Sequence, residues 1–366
     1  MSKTYIISGG GTGGHIFPAL SIAREIQARE PSAHIHFIGA LGRMEMERVP
    51  AAGFPITGLH IAGINRQQPW KSWNVPFKLL HSLLTVRALL RRLKPVAVIG
   101  TGGYASGPAL LMAQRMGIPT LVQEQNSFAG LTNRRLGKAA RYVCTAYESA
   151  ARFFPAERVR LTGNPVRDWL TQPLPAKASG LEQWGFDNDR PLLLVLGGSL
   201  GARALNERMH KDFADLLEMG WQILWQCGGL YADDYASLEA QGLRVQPFID
   251  DMASAYAAAD LIVSRAGAGT LSELCLVGKP TVLVPSPNVA DDHQTHNARA
   301  LSDEQAAVLL PEQELAQLSQ LLRELLQKPE RREALGAAMK RMALPGATAD
   351  IVDLIYSMDS TAQRTH

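Results

Sequence analysis

Apolar positions in this chain gather into short unbroken runs, and the runs recur in two series separated by a polar stretch. The run at 192–196, Leu-Leu-Leu-Val-Leu, has no position to turn toward water, as expected of a parallel strand covered on both faces. It breaks at Gly197-Gly198-Ser199-Leu200-Gly201 and resumes as a helical pattern from Ala202. In the first series the pattern predicts strands at 5–8, 35–39, 96–100, 120–123, 142–145 and a short one at 159–162. Helical patterns lie among them at 18–28, 76–94 and 108–116. The second series predicts strands at 192–196, 221–226, 244–247, 261–264, 281–284 and 307–310. Its helices are expected at 202–218, 251–258, 270–277 and 291–302, with more in 312–340. Strands alternating with helices predict the α/β class, with doubly wound parallel sheets. Residues 163–191, punctuated by Pro165, Pro173, Pro175, Gly180 and Pro191, read as an irregular connection between the two series.

Four strands run straight into a glycine-rich turn that opens a helix. The turns are Gly9-Gly-Gly-Thr-Gly-Gly-His15, Gly100-Thr-Gly-Gly-Tyr-Ala-Ser-Gly-Pro108, Gly197-Gly-Ser-Leu-Gly201 and Arg265-Ala-Gly-Ala-Gly-Thr-Leu-Ser-Glu273. Such a turn offers backbone N–H groups at the positive end of a helix dipole, which together cradle an oxyanion. Gly9, Gly11 and Gly14 also satisfy G-x-G-x-x-G, but a dinucleotide site needs an acid at the end of the next strand. That strand ends Phe37-Ile-Gly-Ala-Leu41, so the dehydrogenase reading is set aside in favour of a phosphate, or a sugar beside an anion. A purely structural reading, glycines for tight turns and close helix packing, stays open at these loops.

Composition narrows the picture in three ways. A chain of 366 residues exceeds one ordinary core, so two domains are expected. Residues 1–164 hold 20 Lys and Arg against 7 Asp and Glu, whereas the remainder holds 17 against 27. A basic first half beneath a near-neutral total suggests an anionic surface or ligand facing that half. The three cysteines, Cys144, Cys227 and Cys275, are widely spaced, which argues for a reducing compartment and against a disulfide framework or structural zinc. With neither a cleavable signal pattern nor a run of about 18 apolar residues, a cytoplasmic location is expected.

Several side chains are candidates for chemistry. His15, at the mouth of the first helix, could take a proton from an attacking hydroxyl or position a substrate oxygen. Gln123-Glu-Gln-Asn126 follows a strand and is costly to bury without partners, which makes Glu124 a second candidate base. Glu273 could grip vicinal ribose hydroxyls while Thr270 meets a phosphate; equally, Thr270 and Glu273 fit a capping box. The loop 291–297, Asp-Asp-His-Gln-Thr-His-Asn, could read sugar hydroxyls, and its spacing is not a recognised metal set. In the stretch 66–94, Trp70, Trp73, Phe77, Leu80 and Leu84 are interleaved with basic residues, as on a helix resting on anionic lipid or packed into a core.

Taken together, Gly9-Gly-Gly-Thr-Gly-Gly-His-Ile-Phe-Pro18, Gly102-Gly-Tyr-Ala-Ser-Gly-Pro108, Glu124-Gln-Asn126, Gly163-Asn-Pro-Val-Arg167, Gly197-Gly-Ser199, Phe248-Ile-Asp-Asp-Met252 and Ser272-Glu273 resemble the MurG family. These are peripheral membrane N-acetylglucosaminyltransferases of bacterial peptidoglycan synthesis. The resemblance runs in order from the first strand to about residue 300. It implies a GT-B fold of two Rossmann-like domains with the active site in the cleft. The first domain would be 1–164 with a returning C-terminal helix at about 347–360, and the second 165–346. The implied reaction is inverting transfer of GlcNAc from UDP-GlcNAc to the muramyl 4-hydroxyl of lipid I, giving lipid II.

For such an inverting transfer His15 is the first candidate base and Glu124 the runner-up; the donor contacts are carried over by position. Thr12, Gly13, Gly14, Asn126, Arg167 and Ser199 would meet the donor. So would Ile249, Ala268, Gly269, Thr270, Leu271, Ser272, Glu273 and Gln294, with Ile249 reading uracil through its backbone. Gly11, His15, Gly102, Gly103 and Tyr104 would meet the acceptor, and Trp70, Trp73, Phe77, Leu80 and Leu84 the membrane. The expected partners are UDP-GlcNAc, lipid I, an anionic surface on the cytoplasmic face of the inner membrane, and membrane-bound enzymes of cell-wall synthesis. No cofactor, metal or nucleic acid is expected. Leu200 departs from the Gln often found in the family's Gly-Gly-Ser-Gln-Gly loop, and Gln123, Gly269 and His293 are departures from some members. Two rival readings remain on the same scaffold: a UDP-GlcNAc 2-epimerase, and a non-catalytic nucleotide-sugar-binding subunit.

Overall fold

A computed structural model describes residues 2–61, 75–238 and 240–362. The chain divides into two compact units, Met1–Val166 with Gly346–His366, and Arg167–Pro345.

In the first unit the order is β1 (Thr4–Gly9), α1 (Gly13–Arg29), β2 (His34–Ala40), α2 (Glu45–Ala51), β3 (Ile56–Leu59) and α3 (Val75–Leu93). It continues with β4 (Ala97–Gly102), α4 (Ser106–Arg115), β5 (Thr120–Glu124), α5 (Leu131–Gly137), β6 (Tyr142–Thr145) and β7 (Val159–Leu161). The strands form one sheet in the order β3-β2-β1-β4-β5-β6-β7, each pair parallel. Order reverses between β1 and β4, and that is the switch point beside which ligands bind in open α/β sheets. One face of the sheet packs on Ile16, Ile22 and Ile26 of α1, and the other on Val86, Leu89 and Leu90 of α3.

The second unit runs α6 (Lys177–Trp184), β8 (Leu192–Leu196), α7 (Arg203–Glu218), β9 (Gln222–Gln226), α8 (Ala232–Tyr235), β10 (Leu243–Gln246) and α9 (Met252–Ala258). Then come β11 (Leu261–Ser264), α10 (Ala268–Val277), β12 (Thr281–Leu283), α11 (His293–Ser302), β13 (Val308–Leu309), α12 (Leu318–Gln327) and α13 (Pro329–Arg341). Its sheet is also parallel, in the order β10-β9-β8-β11-β12-β13, with the switch between β8 and β11. The fully buried Leu192–Leu196 run is its central strand. The last helix, α14 (Ala347–Ala362), returns to the first unit and buries Ile351, Val352, Ile355 and Met358 in the core shared with α1.

The structure corrects the sequence reading in several places. Helix α1 starts at Gly13, five residues before the expected start, so Pro18 lies inside it and the glycines supply the first turn. Strand β3 was missed because Ile56–Leu59 is four residues long and contains a glycine. A Cβ at Gly58 would meet the Leu41 side chain. Residues 163–191 are not wholly irregular, since α6 lies within them. Gly180, which reads as loop punctuation, sits where α6 meets α9, and a Cβ there would stand 2.6 Å from the Ser254 carbonyl oxygen.

Candidate active site

The switch point of the first sheet brings two glycine turns side by side. After β1, Gly9–Thr12 leads into α1; after β4, Gly102 and Gly103 lead toward α4. The Gly10 amide donates to the Gly102 carbonyl at 3.3 Å. Gly102 and Gly103 have φ of +104° and +86°. A Cβ on Gly102 would meet the His15 ring, and one on Gly103 the Gly10 carbonyl. These two glycines therefore serve the close approach of the turns, whatever else they touch. Thr12 is the N-cap of α1 with no side-chain cap, so the amides of Gly13 and Gly14 stand at the positive helix end.

His15 is half-buried, and its Nδ1 lies 3.0 Å from the Thr101 carbonyl and 3.0 Å from Gln125 Oε1. Both neighbours are acceptors, so Nδ1 carries a proton, and the neutral form of the ring presents its lone pair at Nε2. The backbone of His15 is tied in turn, since Thr101 Oγ1 donates to its carbonyl at 2.8 Å. Gln125 is fixed through its amide to the Thr101 carbonyl at 2.5 Å and to the Gln123 side chain. Gln123 donates to Asn164 at 2.8 Å, and Asn164 returns to the Gln125 carbonyl at 3.1 Å. The polar strand end is thus satisfied internally, around the histidine.

Glu124, the other candidate base, lies within a closed set of hydrogen bonds. It is buried, and four donors of its own loop saturate its oxygens. Oε1 accepts from the Asn126 amide at 3.0 Å and from its side chain at 3.3 Å, while Oε2 accepts from the Gly130 amide at 3.2 Å and Asn133 at 2.8 Å. Its work is to shape the 125–130 turn and aim Asn126. A second carboxylate escaped the sequence reading altogether. Glu45 is 1% exposed; its Oε2 accepts the Gly11 amide at 2.8 Å and its Oε1 the Ala40 amide at 3.0 Å. The Gly11 amide, expected to meet the acceptor, is therefore spent on Glu45, although its Cα side faces open space. The signal missed was an acid five residues past the strand end, where only the strand end was searched. Tyr104 stands half-exposed after these turns.

In the second unit the turn after β8 exposes Ser199 and Leu200. It is braced by the Gly229 amide, which donates to the Ser199 carbonyl at 3.1 Å. The neighbouring turn after β11 opens α10, whose N-cap is Gly267, so Thr270 and Glu273 fall too far into the helix for a capping box. Glu273 instead pairs with Arg167, whose Nε and Nη2 reach its two oxygens at 2.8 and 2.6 Å. Arg167 also lies over the Trp169 ring, 5.2 Å from its centroid. Gly269 and Thr270 are half-exposed at the helix mouth, and a Cβ on Gly269 would meet nothing. Ser272 turns its hydroxyl back to the Ala268 carbonyl at 3.2 Å.

Three residues expected at the donor already have partners within the protein. Leu271 is wholly buried in the core and its amide donates within the helix to Gly267. The Ile249 amide donates to Gln226 Oε1 at 2.9 Å, leaving the carbonyl for reading a base. Gln294 holds the 286 turn through the Ser286 amide at 2.9 Å.

Helix α3 carries the remaining expectation. Phe77, Leu80 and Leu84 are exposed, at 69%, 57% and 55%, while Ser82, Val86, Leu89 and Leu90 are buried. Leu79 is exposed as well, at 38%. Trp70 and Trp73 lie outside the described residues. Among the described residues no three His, Cys, Asp or Glu side chains gather as a metal set, and no helix is long and apolar enough to cross a membrane. Cys144 and Cys275 are buried, and burial pushes each thiol up to about 12, which makes them inert.

Residues 5–145 match the glycosyltransferase family 28 N-terminal domain, and residues 192–351 match the family 28 C-terminal domain. A relative from Christiangramia forsetii is 49% identical over 96% of this chain and 97% of its own length. It is a UDP-N-acetylglucosamine--N-acetylmuramyl-(pentapeptide) pyrophosphoryl-undecaprenol N-acetylglucosamine transferase. Among solved structures, Acinetobacter baumannii MurG is similar with a TM-score of 0.79 and 33% identity, covering 98% of this chain and all of that one. A putative UDP-N-acetylglucosamine 2-epimerase from Listeria monocytogenes matches with a TM-score of 0.68 at 14% identity, over 98% of this chain and 96% of that one. At that identity the likeness is one of fold.

Proposed function

The chain belongs to glycosyltransferase family 28, and on that premise we propose that it transfers N-acetylglucosamine from UDP-N-acetylglucosamine to the muramyl 4-hydroxyl of undecaprenyl-pyrophosphoryl-N-acetylmuramyl-pentapeptide, with inversion. The observation that carries this reading is 49% identity to a transferase of that name across both units. The site chemistry supports it. His15 Nε2 accepts the proton of the attacking hydroxyl as the new C1–O bond forms and the C1–O bond to the β-phosphate breaks. Arg167, Ser199 and the amides at the mouth of α10 take the charge that develops on the departing UDP, a role that needs no metal. Glu273 grips the ribose hydroxyls once the Arg167 guanidinium turns to the diphosphate.

The acceptor carries a polyprenyl chain, so the enzyme must work at a bilayer. Phe77, Leu80 and Leu84 on α3, with Lys78, Arg87, Arg91 and Arg92 on the same helix, suit a face laid on anionic lipid at the cytoplasmic side of the inner membrane. The epimerase rival requires the donor site but neither this face nor a base for an external hydroxyl. His15→Ala tests the mechanism: turnover should fall by about 10²- to 10⁴-fold while UDP-N-acetylglucosamine still binds. Unchanged transfer by that variant would remove His15 as the base.

A further inference from the structure

Glu45 occupies a position that a glycine turn usually keeps for a ligand. It opens α2, reaches back beneath the turn after β1, and places one oxygen on the Gly11 amide at 2.8 Å and the other on the Ala40 amide at 3.0 Å. The fit is built on both sides, because a Cβ at Gly10 would fall on this carboxylate and one at Gly39 would stand 2.6 Å from its Cγ. From this turn the contacts continue to the base. Gly10 bonds to Gly102, a Cβ on Gly102 would strike the His15 ring, and the Thr101 carbonyl holds His15 Nδ1 at 3.0 Å. An anion on amide donors is the occupant such a turn is shaped for, and here the protein supplies it from its own chain.

We infer that Glu45 is a positioning residue for the transfer: its carboxylate fills the inner anion place of the first glycine turn, pins that turn between β2 and β4, and so fixes the His15 ring and leaves the outer amides of Gly13 and Gly14 to the substrate. The inference rests on the proposed transfer. It predicts that inorganic anions compete poorly at this turn, and that removing the carboxylate damages catalysis without touching the UDP contacts of the second unit.

The test is Glu45→Ala in the full-length protein, assayed with UDP-N-acetylglucosamine and a short-chain acceptor, with and without formate. The expected result is a fall in kcat of at least tenfold, a UDP Kd within twofold of the parent, and at least threefold recovery with formate but not with chloride at equal ionic strength. A folded variant with kcat and acceptor KM within twofold of the parent overturns the inference, and so does a loss that formate leaves untouched. Should Glu45→Ala fail to fold, Glu45→Gln replaces it, since its NH₂ must face one of the two amides. The same tenfold loss with unchanged UDP binding is then expected, and parental kinetics overturn the inference. A parent protein without transferase activity would instead sink the proposed function, leaving the two failures distinct.

Discussion

The fork between Arg167 and Glu273 joins residues 106 positions apart, and neither is informative alone. Glu273 was visible as a candidate from its place after a glycine loop, with a capping box as the competing structural use. Arg167 was a donor candidate too, through the resemblance, but their pairing was not legible, since no local pattern links a residue at the start of the second unit to α10. The side chain of Glu273 is only 14% exposed, and the fork meets both of its oxygens. Glu273→Gln should weaken UDP binding by about tenfold, the loss of one charge-assisted hydrogen bond at about 1.5 kcal/mol. Calorimetry with UDP and with its 2′,3′-dideoxy analogue checks the cause. If the analogue loses as much as UDP, the carboxylate acts through Arg167 and not through the ribose. His15 was legible from its place at the strand–helix junction, whereas its Thr101 and Gln125 partners are tertiary facts. Glu124 was legible as a polar residue costly to bury, whereas its Asn126, Gly130 and Asn133 partners were not.

At the level of elements, continuous apolar runs marked most of the strands, because a strand covered on both faces needs no alternation. The failures were short or glycine-bearing elements, β3, α2, α5, α6 and α8, where tertiary packing outweighs local pattern. In α6 a glycine allows two helices to touch, and from sequence that is indistinguishable from a turn. The pattern of α3 was readable as two faces, but which face was covered depended on the sheet beneath it. With Phe77, Leu80 and Leu84 exposed, Phe77→Asp with Leu80→Asp should lower affinity for anionic vesicles while sparing transfer to a soluble acceptor. Co-sedimentation with vesicles of mixed neutral and anionic phospholipid measures this. An unmoved partition would place the membrane face elsewhere.

At the scale of the whole molecule, the chain leaves its first unit at Val166 and comes back to it at Gly346. Helix α14 makes that return substantial. It buries Ile351, Val352, Ile355 and Met358, and it adds ion pairs from Asp353 to Arg29 at 2.5 Å and from Asp359 to Lys3 at 2.8 Å. Four buried apolar side chains at about 1.5–3 kcal/mol each amount to roughly 6–12 kcal/mol, comparable with the whole stability of a domain. Truncation after Pro345 should therefore unfold the first unit, seen as loss of its cooperative melting transition. An unchanged transition would show that α14 is dispensable. The two-sheet plan was legible because the same strand–turn–helix pattern occurs in both halves, whereas the return of α14 is a tertiary fact that no periodicity announces.

The central claim is that these two units together perform a glycosyl transfer to a lipid-linked sugar, and not an epimerisation or simple binding. Incubating the protein with radiolabelled UDP-N-acetylglucosamine and a short-chain analogue of undecaprenyl-pyrophosphoryl-N-acetylmuramyl-pentapeptide tests it most directly. The account predicts label in a β-linked disaccharide on the lipid carrier and stoichiometric release of UDP. Label recovered as a 2-epimer of the nucleotide sugar, or bound donor with no product, would contradict it.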